Sequence, residues 1–316
     1  MKLKDVNDSV VVHYPVPIEY ATKQLDVFWT ADEINVEKDV QSILVDMTPA
    51  ERHGVLTTLR LFTLYELRAG GEYWGDRFMK IFPRHEFRRM ASVFSMFELA
   101  VHAPFYAKLN EALNVSTDEF YTSYVKDPLL KDRMDFIDEA LNDPNDLFSV
   151  GVFSMVEGAV LYSSFAFLKH FQANGKNKLN NVCRGIAFSV RDEHMHADAG
   201  AWSFKALAEE VGFKPAVRDK LVAAAFKLRE HEHHIVDMIF SEGEIEGITA
   251  KQMKDFVDHR LDLCLNNLGI SSVFRPHEVK IANWFYKDIN NFSFNDFFAG
   301  QGREYTRNWD EKGFAW

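Results

Sequence analysis

Two pairs of glutamate and histidine residues could each bring a carboxylate and an imidazole to one metal ion. Glu193 and His196 are three residues apart, and Glu98 and His102 are four residues apart. Residues at these spacings share one face of an α-helix, so both side chains of a pair can reach the same ion. Carboxylate and imidazole ligands suit iron or manganese better than a thiophilic ion.

Two further acids lie in otherwise apolar helical segments. Glu66 stands in LFTLYEL (61–67), and Glu157 stands in GVFSMVEGAVLY (151–162). A buried carboxylate is costly unless it is paired or bound to a metal. One such acid, or one Glu-x-x-His motif, arises easily by chance, but four helices that each carry one of these features favour a shared site. Four carboxylates and two histidines are the ligand set of di-metal carboxylate proteins.

Composition and charge argue against several other classes of protein. The net charge is −11 and no long run of Lys or Arg occurs, which disfavours direct nucleic-acid binding. Cys183 and Cys264 are too few for a disulfide framework or a thiolate metal site, so we expect buried thiols in a reducing cytoplasm. No stretch reaches about 18 continuous apolar residues, and no signal-peptide core is present. We therefore expect a cytoplasmic protein without a membrane span.

A third group of metal-ligating residue types occurs in EHEHH (230–234). On a helix, these charged side chains would point in all directions rather than converge on one ion. We therefore interpret this group as a solvated segment and not as a native metal site.

Long helices are expected to position the candidate ligands. A capping box at Thr48 and Glu51 marks one helix start, whereas strand signals are weak along the chain. The sequence therefore predicts an all-α fold. Its helices are expected from Thr48 to about Gly70 and at about 85–114, 129–142, 147–173, 178–212, 215–242, 250–268 and 276–288.

The same pattern divides the chain into one domain with two extensions. We expect an extended N-terminal arm, in which Pro15 and Pro17 prevent a helix. A single helix bundle should follow, because the predicted helices are long and no linker separates them. A flexible tail should end the chain. The predicted bounds are 1–30 for the arm, 31–290 for the bundle and 291–316 for the tail.

Several segments, in order and at similar spacing, resemble the small subunit of class I ribonucleotide reductases along most of the chain. They are Tyr14-Pro15, DVFWTADEINVEKD (26–39), Glu51-Arg52-His53, Glu98…His102…Tyr106, Glu157, RDE (191–193) with His196, Asn283-Trp284-Phe285 and the segment 295–305. The resemblance implies a ferritin-like bundle that holds two metal ions, iron or manganese. It assigns one ion to Glu66, Glu98 and His102, and the other to Glu157, Glu193 and His196.

The resemblance also implies roles for three residues that are not ligands. Tyr106, four residues after His102, would carry a radical; from its spacing alone it would be a core aromatic residue. Trp29 and Asp192 would begin a radical-transfer route that reaches the metal through His102, with Asp192 as a hydrogen-bond partner of that histidine. The alternative for Trp29 is a hydrophobic anchor of the N-terminal arm.

Partners follow from the resemblance as well. The family passes its oxidising equivalent to a large catalytic subunit, so the tail, with Phe314 and Trp316 at its tip, is expected to bind that subunit. A frayed terminus is the alternative interpretation of the tail. A homodimer is implied by the resemblance and not by the composition.

Two departures from the family pattern affect the first ion. The family has Glu-x-x-His where this chain has Glu-x-x-x-His from Glu98 to His102, so a π-bulge must absorb one residue or Glu98 points away. The stretch 68–76 is also about one residue longer than usual, and Gly70-Gly71 is expected to break the helix there. Glu72 is therefore the alternative to Glu66.

Together, these features predict the small subunit of a ribonucleotide reductase, which generates a tyrosyl radical for deoxyribonucleotide synthesis by the large subunit. Two alternatives remain open. One is an oxidase of the same superfamily that acts on a bound small molecule. The other is a ferritin-like di-metal storage or binding protein that forms no radical.

Overall fold

The protein is a bundle of α-helices, as the sequence predicts. The computed structural model describes residues 2–6 and 9–287, and within them the only β-type pairing is an isolated bridge between Ile245 and Ile248. The helices are α1 (Pro15–Asp26), α2 (Glu37–Gln41), α3 (Pro49–Leu67), α4 (Phe78–Ile81), α5 (His85–Phe97), α6 (Ala103–Ala112), α7 (Asp118–Lys126), α8 (Pro128–Leu141), α9 (Asp146–Ala159), α10 (Tyr162–Lys169), α11 (Asn180–Val211), α12 (Pro215–Ile239), α13 (Ala250–Asn267) and α14 (280–287). The tail expected at 291–316 lies outside the described residues.

Helix α3 begins at the capping box that the sequence indicates. The Thr48 hydroxyl accepts a hydrogen bond from the Glu51 backbone N–H at 3.2 Å, and the Glu51 carboxylate accepts one from the Thr48 N–H at 2.9 Å. Two backbone donors that have no partner within the helix are thereby satisfied. This start fixes the register of the helix that carries Glu66.

The N-terminal region contains a helix, so the expectation that its prolines prevent one is wrong. Pro15 and Pro17 lie in the first turn of α1. A proline there removes only an N–H group that has no partner within the helix. Helix α1 packs against α5 and buries Ala21 and Gln24.

The centre of the bundle is α9, in which every residue from Leu147 to Ala159 is buried. A helix that is apolar on all sides must be surrounded by other helices. Among the described residues, Asp146–Lys169 is long and apolar enough to cross a membrane, yet its most apolar window is entirely buried in the domain. The stretch therefore forms two core helices of the bundle, α9 and α10.

The continuous helix predicted at 147–173 is interrupted between α9 and α10. Val160 is extended, with φ −67° and ψ 141°, and Leu161 has a positive φ of 71°. A non-glycine residue in this conformation is uncommon because its Cβ approaches the backbone. The interruption lies four residues after Glu157 and leaves the last carbonyl groups of α9 without partners in their own helix.

Gly70 and Gly71 do not break the helix, contrary to expectation. The chain continues from α3 through a π-helical segment, Arg68–Arg77, into α4. Gly70 is needed there because a Cβ atom would lie 2.7 Å from Glu98 Cβ. The Ser95 hydroxyl also donates a hydrogen bond to the Gly70 carbonyl at 2.7 Å. The absence of a side chain thus lets this segment pack closely against the one that carries Glu98.

Candidate metal centre

The six residues proposed as ligands lie together in the core. Their ligand atoms form two groups within which all atoms are at most 4.8 Å apart. Glu98 and Glu193 belong to both groups, so their carboxylates would be available to either of two ions. The first group is Glu66, Glu98, His102 and Glu193, and the second is Glu98, Glu157, Glu193 and His196.

Four neighbouring parts of the bundle supply these side chains. Glu66 comes from the end of α3 and Glu157 from the end of α9. Glu193 and His196 lie one turn apart on α11, where both are buried. The segment between α5 and α6 supplies the remaining pair. Helix α11 packs along α9, and α3 packs against the segment between α5 and α6, so the polar groups lie in a buried interior.

The Glu98–His102 pair lies on a π-helical segment that spans these two residues. Its wider turn accommodates the extra residue, so that Leu99 faces outward and is 40% exposed while Glu98 and His102 are buried. Glu98 Oε2 lies 3.0 Å from His102 Nδ1. The local insertion that the four-residue spacing requires is therefore a π-helix, and Glu98 points into the centre.

Glu66 and its alternative, Glu72, have opposite environments. Glu66 is fully buried, and its Oε2 lies 3.8 Å from His102 Nδ1. The side chain of Glu72 is 48% exposed and pairs with Arg68 on the surface. The geometry thus favours Glu66 as the fourth acid of the centre.

Acidic groups outnumber basic groups in this cluster. Four carboxylates face two imidazoles, and seven of their atoms have no hydrogen bond of normal geometry. Buried polar atoms are rarely left in this state without a bound ion or water. The donor set and its inward orientation fit two divalent cations, whose four positive charges would balance the carboxylates. The seven atoms are Glu66 Oε1 and Oε2, Glu98 Oε1, Glu157 Oε2, Glu193 Oε1 and Oε2, and His196 Nδ1.

The pKa values show how the cluster distributes protons when no ion is bound. Burial and repulsion from Glu98 raise the pKa of Glu66 well above its usual value, and burial and Glu193 do the same for Glu157. Burial alone would lower the pKa of His102, but Glu98 raises it well above the usual value. The metal-free centre therefore retains protons that metal binding must displace.

Trp29 and Asp192 lie on the outer side of His102. The Trp29 indole donates a hydrogen bond to Asp192 Oδ2 at 2.8 Å, and the same oxygen lies 3.2 Å from His102 Nε2. Arg191 holds the other Asp192 oxygen at 3.3 Å. Burial opposes ionisation of Asp192, but His102 and Arg191 lower its pKa below the usual value. An ionised Asp192 fixes the orientation of the His102 ring.

Tyr106 is fully buried one turn after His102. Its ring stacks on Phe62 at 4.5 Å between centroids, and Phe62 stacks in turn on Phe165 at 5.1 Å. Burial and the nearby Glu66 raise the pKa of Tyr106 well above its usual value. The phenol is thus neutral and lies beside the candidate ligands in an aromatic environment.

Two residues that sequence reasoning missed contact the ligands. Gln24 Oε1 lies 3.2 Å from His196 Nε2, and the Trp74 indole donates a hydrogen bond to Glu157 Oε1 at 3.0 Å. Gln24 lies on α1, which was not predicted as a helix, and Trp74 lies in the glycine-containing π-helical segment. Their long-range contacts have no local signal in the sequence.

The interpretation of 230–234 as a solvated segment is wrong for two of its five residues. His231 and Glu232 are 1% and 0% exposed. Glu232 accepts a hydrogen bond from Arg133 Nε at 3.0 Å, and Arg133 Nη1 donates another to the Tyr124 hydroxyl at 2.7 Å. Among the described residues, no group of metal-ligating side chains of this segment converges on one point.

Comparison with known proteins agrees with this architecture. Residues 7–280 match the family "Ribonucleotide reductase, small chain". A probable ribonucleoside-diphosphate reductase small subunit of Invertebrate iridescent virus 3 is 25% identical over 88% of this chain and 78% of its own. The ribonucleoside-diphosphate reductase subunit beta of Chlamydia pneumoniae is 23% identical over 95% of this chain and 90% of its own.

Two solved structures show the same fold. A putative class I ribonucleotide reductase from Bacillus halodurans has a TM-score of 0.79 at 20% identity, covering 87% of this chain and 99% of that one. The dimanganese(II)-NrdF of Streptococcus sanguinis has a TM-score of 0.75 at 20% identity, covering 86% and 94%. Since the family match extends over most of the sequence, the chain belongs to the ribonucleotide reductase small chain family.

Proposed function

We propose that this chain is the radical-generating subunit of a ribonucleotide reductase and that its six-residue centre holds two iron or manganese ions. The observation that carries the proposal is the buried excess of carboxylates directly beside Tyr106. A protein that only needed a stable core would not place four acids and two histidines there. When bound, two such ions supply the oxidising power, with dioxygen, to remove an electron from a nearby side chain.

Tyr106 is the side chain proposed to lose that electron. Its phenolic proton must leave with the electron, because the high pKa keeps the ground-state phenol neutral. The stacked rings of Phe62 and Phe165 support this role, since they exclude water and soluble reductants from one side. A radical on a buried residue persists only where such access is prevented.

We propose that the oxidising equivalent leaves the metal centre through His102, Asp192 and Trp29. Support comes from the two hydrogen-bonding distances of 2.8 and 3.2 Å that meet at one Asp192 oxygen. A chain of this kind allows electron and proton positions to be adjusted together between the centre and the N-terminal region. Trp29 is 2% exposed, so the route begins just beneath the surface.

The proposed partner is the large catalytic subunit, which would contain the nucleotide-reduction site. The residues proposed to bind it, 291–316 with Phe314 and Trp316, lie outside the described residues. We further propose that the subunit is a cytoplasmic homodimer. The family to which the chain belongs supports this assembly, and the net charge of −11 is consistent with a role that does not involve direct nucleic-acid binding.

Tyr106→Phe tests the central proposal. The variant should bind two metal ions per chain like the wild type, yet lack the tyrosyl signal in electron paramagnetic resonance and lose reductase activity with the large subunit. Tyr124→Phe is the matched control, because Tyr124 is equally buried but contacts Arg133 instead of the centre. Full activity of Tyr106→Phe would disprove the radical assignment. A wild type that binds two ions and never forms a radical would favour a storage or binding protein.

A further inference from the structure

Arg260 is a buried arginine whose charge has no acidic partner among the described residues. It lies on α13 and is 4% exposed. An arginine is always charged in proteins, and a buried charge needs compensating contacts. The groups that compensate Arg260 therefore indicate what this side chain does.

Three groups surround its guanidinium. Nε donates a hydrogen bond to the Gly158 carbonyl at 2.8 Å, and Nη2 donates to the same oxygen. Nη1 donates to the Tyr286 hydroxyl at 2.9 Å. The guanidinium carbon also lies 3.8 Å from the centre of the Tyr162 ring, a cation–π contact. One planar cation thus joins α13 to the ends of α9 and α10 and to α14.

The Gly158 carbonyl belongs to the last turn of α9, directly after Glu157. It lacks a partner in its own helix because α9 ends at Ala159 and the backbone turns away at Leu161. A positive charge at a helix C-terminus is favourable, and here two hydrogen bonds also fix its direction. Arg260 therefore caps, from a different helix, the turn that carries Glu157.

Close packing leaves this turn little freedom. A methyl group at Gly158 would lie 2.5 Å from Cys264 Sγ and 3.2 Å from Ala197 Cβ. Trp74 holds the Glu157 carboxylate from the other side at 3.0 Å. Glu157 is consequently held at its side chain by Trp74, and Arg260 holds the backbone carbonyl of the next residue, Gly158.

We propose that Arg260 is a positioning residue for Glu157, which sets the geometry of the second ion, and that Tyr286 orients the Arg260 guanidinium. The inference rests on the proposed function, because it concerns the same metal centre. It assigns a role to α14 as well. The buried Phe285 contacts Tyr162 and Phe256, with centroids 6.1 and 5.1 Å away, and thereby fixes Tyr286 against Arg260.

The test measures binding of Mn(II) to the metal-free full-length chain. Two equivalents of Mn(II) should give an exchange-coupled pair in electron paramagnetic resonance for the wild type. Arg260→Met should raise the dissociation constant of the second ion by about 10–100-fold, the range for residues that orient ligands. The first ion should change by less than about threefold, because the Glu66–His102 half does not contact Arg260. The spectrum should then show an uncoupled single ion.

Two milder variants keep the test informative if Arg260→Met does not fold. Arg260→Lys keeps the charge but cannot make both bonds to Gly158 and one to Tyr286. It should therefore raise the dissociation constant of the second ion by roughly 10-fold. Tyr286→Phe removes one hydroxyl and should raise the dissociation constant of the second ion by about 2–5-fold. Arg84→Met is the matched control, since Arg84 is equally buried but pairs with Glu86 at 3.1 Å, away from α9.

The outcomes separate this inference from the proposed function. A coupled Mn(II) pair with unchanged constants in folded Arg260→Lys and Tyr286→Phe would overturn the positioning role. Equal weakening of both ions, as in a general loss of stability shared with Arg84→Met, would overturn it too. A wild type that does not bind two ions would instead refute the proposed function.

Discussion

Two buried polar clusters in the described part of the bundle differ in their balance of charge. The metal centre has four carboxylates and two imidazoles, and many of its atoms have no hydrogen bond. The second group, here named the ion-pair cluster, consists of Arg133, Glu232, Tyr124 and Ser163. Its arginine bonds Glu232 and Tyr124 at 3.0 and 2.7 Å, and Ser163 donates to the other Glu232 oxygen at 3.3 Å.

This difference teaches how to distinguish a structural cluster from a functional one. Both are removed from water, so burial alone does not separate them. The ion-pair cluster is neutral and needs no ligand, because all of its polar side-chain atoms except Arg133 Nη2 have a hydrogen-bond partner within the protein. The metal centre has excess negative charge that the protein itself does not neutralise, so its stability depends on protons or added cations.

The largest effect should come from breaking the ion-pair cluster. Arg133→Met leaves the Glu232 carboxylate buried without a counter-charge, which should lower the free energy of unfolding by about 3–5 kcal/mol. Denaturation of the metal-free protein in the presence of a chelator measures this loss. The double variant Arg133→Met/Glu232→Met should recover much of it. A loss well below about 1 kcal/mol would show that the cluster is not the balanced unit described here.

Removing an acid from the metal centre should raise the free energy of unfolding of the metal-free protein, whereas breaking the ion-pair cluster lowers it. The folded-state pKa of Glu66 is raised, so the folded state retains a proton that the unfolded state loses as the pH rises past about 4.5. Glu66→Gln removes this penalty and should stabilise the metal-free fold at pH 7 by about 1–3 kcal/mol, with the difference vanishing below about pH 4.

The matched control for that variant is Glu232→Gln, which should destabilise the fold because Arg133 loses its counter-charge. With Mn(II) added, Glu66→Gln should be less stable than the wild type, because the variant loses a ligand and binds the metal more weakly. Thermal or denaturant unfolding, with chelator and then with Mn(II), measures the difference in stability under both conditions. A metal-free Glu66→Gln that is less stable than the wild type would contradict the assignment of excess charge.

The release of protons on addition of Mn(II) should distinguish the metal centre from the ion-pair cluster in the folded protein, without a measurement of stability. The raised pKa values of Glu66, Glu157, His102 and His196 mean that Mn(II) must displace protons at pH 7. Metal affinity should therefore increase with pH, and addition of Mn(II) to a weakly buffered solution should release roughly one proton or more per chain. Glu66→Gln should release about one proton fewer. Metal uptake with no proton release would contradict the pKa pattern.

The smallest expected effect concerns Ser163. Its hydroxyl donates one hydrogen bond to Glu232, so Ser163→Ala should lower the free energy of unfolding by about 1 kcal/mol and leave Mn(II) affinity unchanged. Denaturation and metal titration of the same preparation measure both quantities. A clear change in metal affinity would mean that the two clusters are coupled.

Residue types and spacing were sufficient to predict the helical fold and the candidate ligands. Glu193 and His196 share a helix face because of their spacing alone, and the apolar surroundings of Glu157 already required a partner for its charge. The extra residue between Glu98 and His102, relative to the family's Glu-x-x-His, predicted either a π-bulge or a Glu98 that points away, and the structure shows the π-helical segment. In each case the relevant information is local, since it depends on the helix period and on the cost of burying a charge.

Other features could not be predicted because they depend on residues far apart in the sequence. The sequence predicted a solvated Glu232, because the residue that allows its burial, Arg133, is 99 residues away in the chain. Gln24 and Trp74 became ligand partners only through helix packing, and the Arg260 contact with Gly158 exists because α9 stops where α13 crosses it. Prolines at 15 and 17 were misjudged for a simpler reason, since their position in the first turn of α1 makes them compatible with a helix.

The sequence by itself determined that the protein is built of long helices and that four of them carry an acid in an apolar segment or a glutamate and a histidine at helical spacing. The tertiary structure alone decided which of those charges meet one another. Charge balance is a property of the assembled interior, because a carboxylate is neutralised by whatever lies within a few ångströms of it and not by its neighbours along the chain. That packing left one cluster neutral and the other in need of cations.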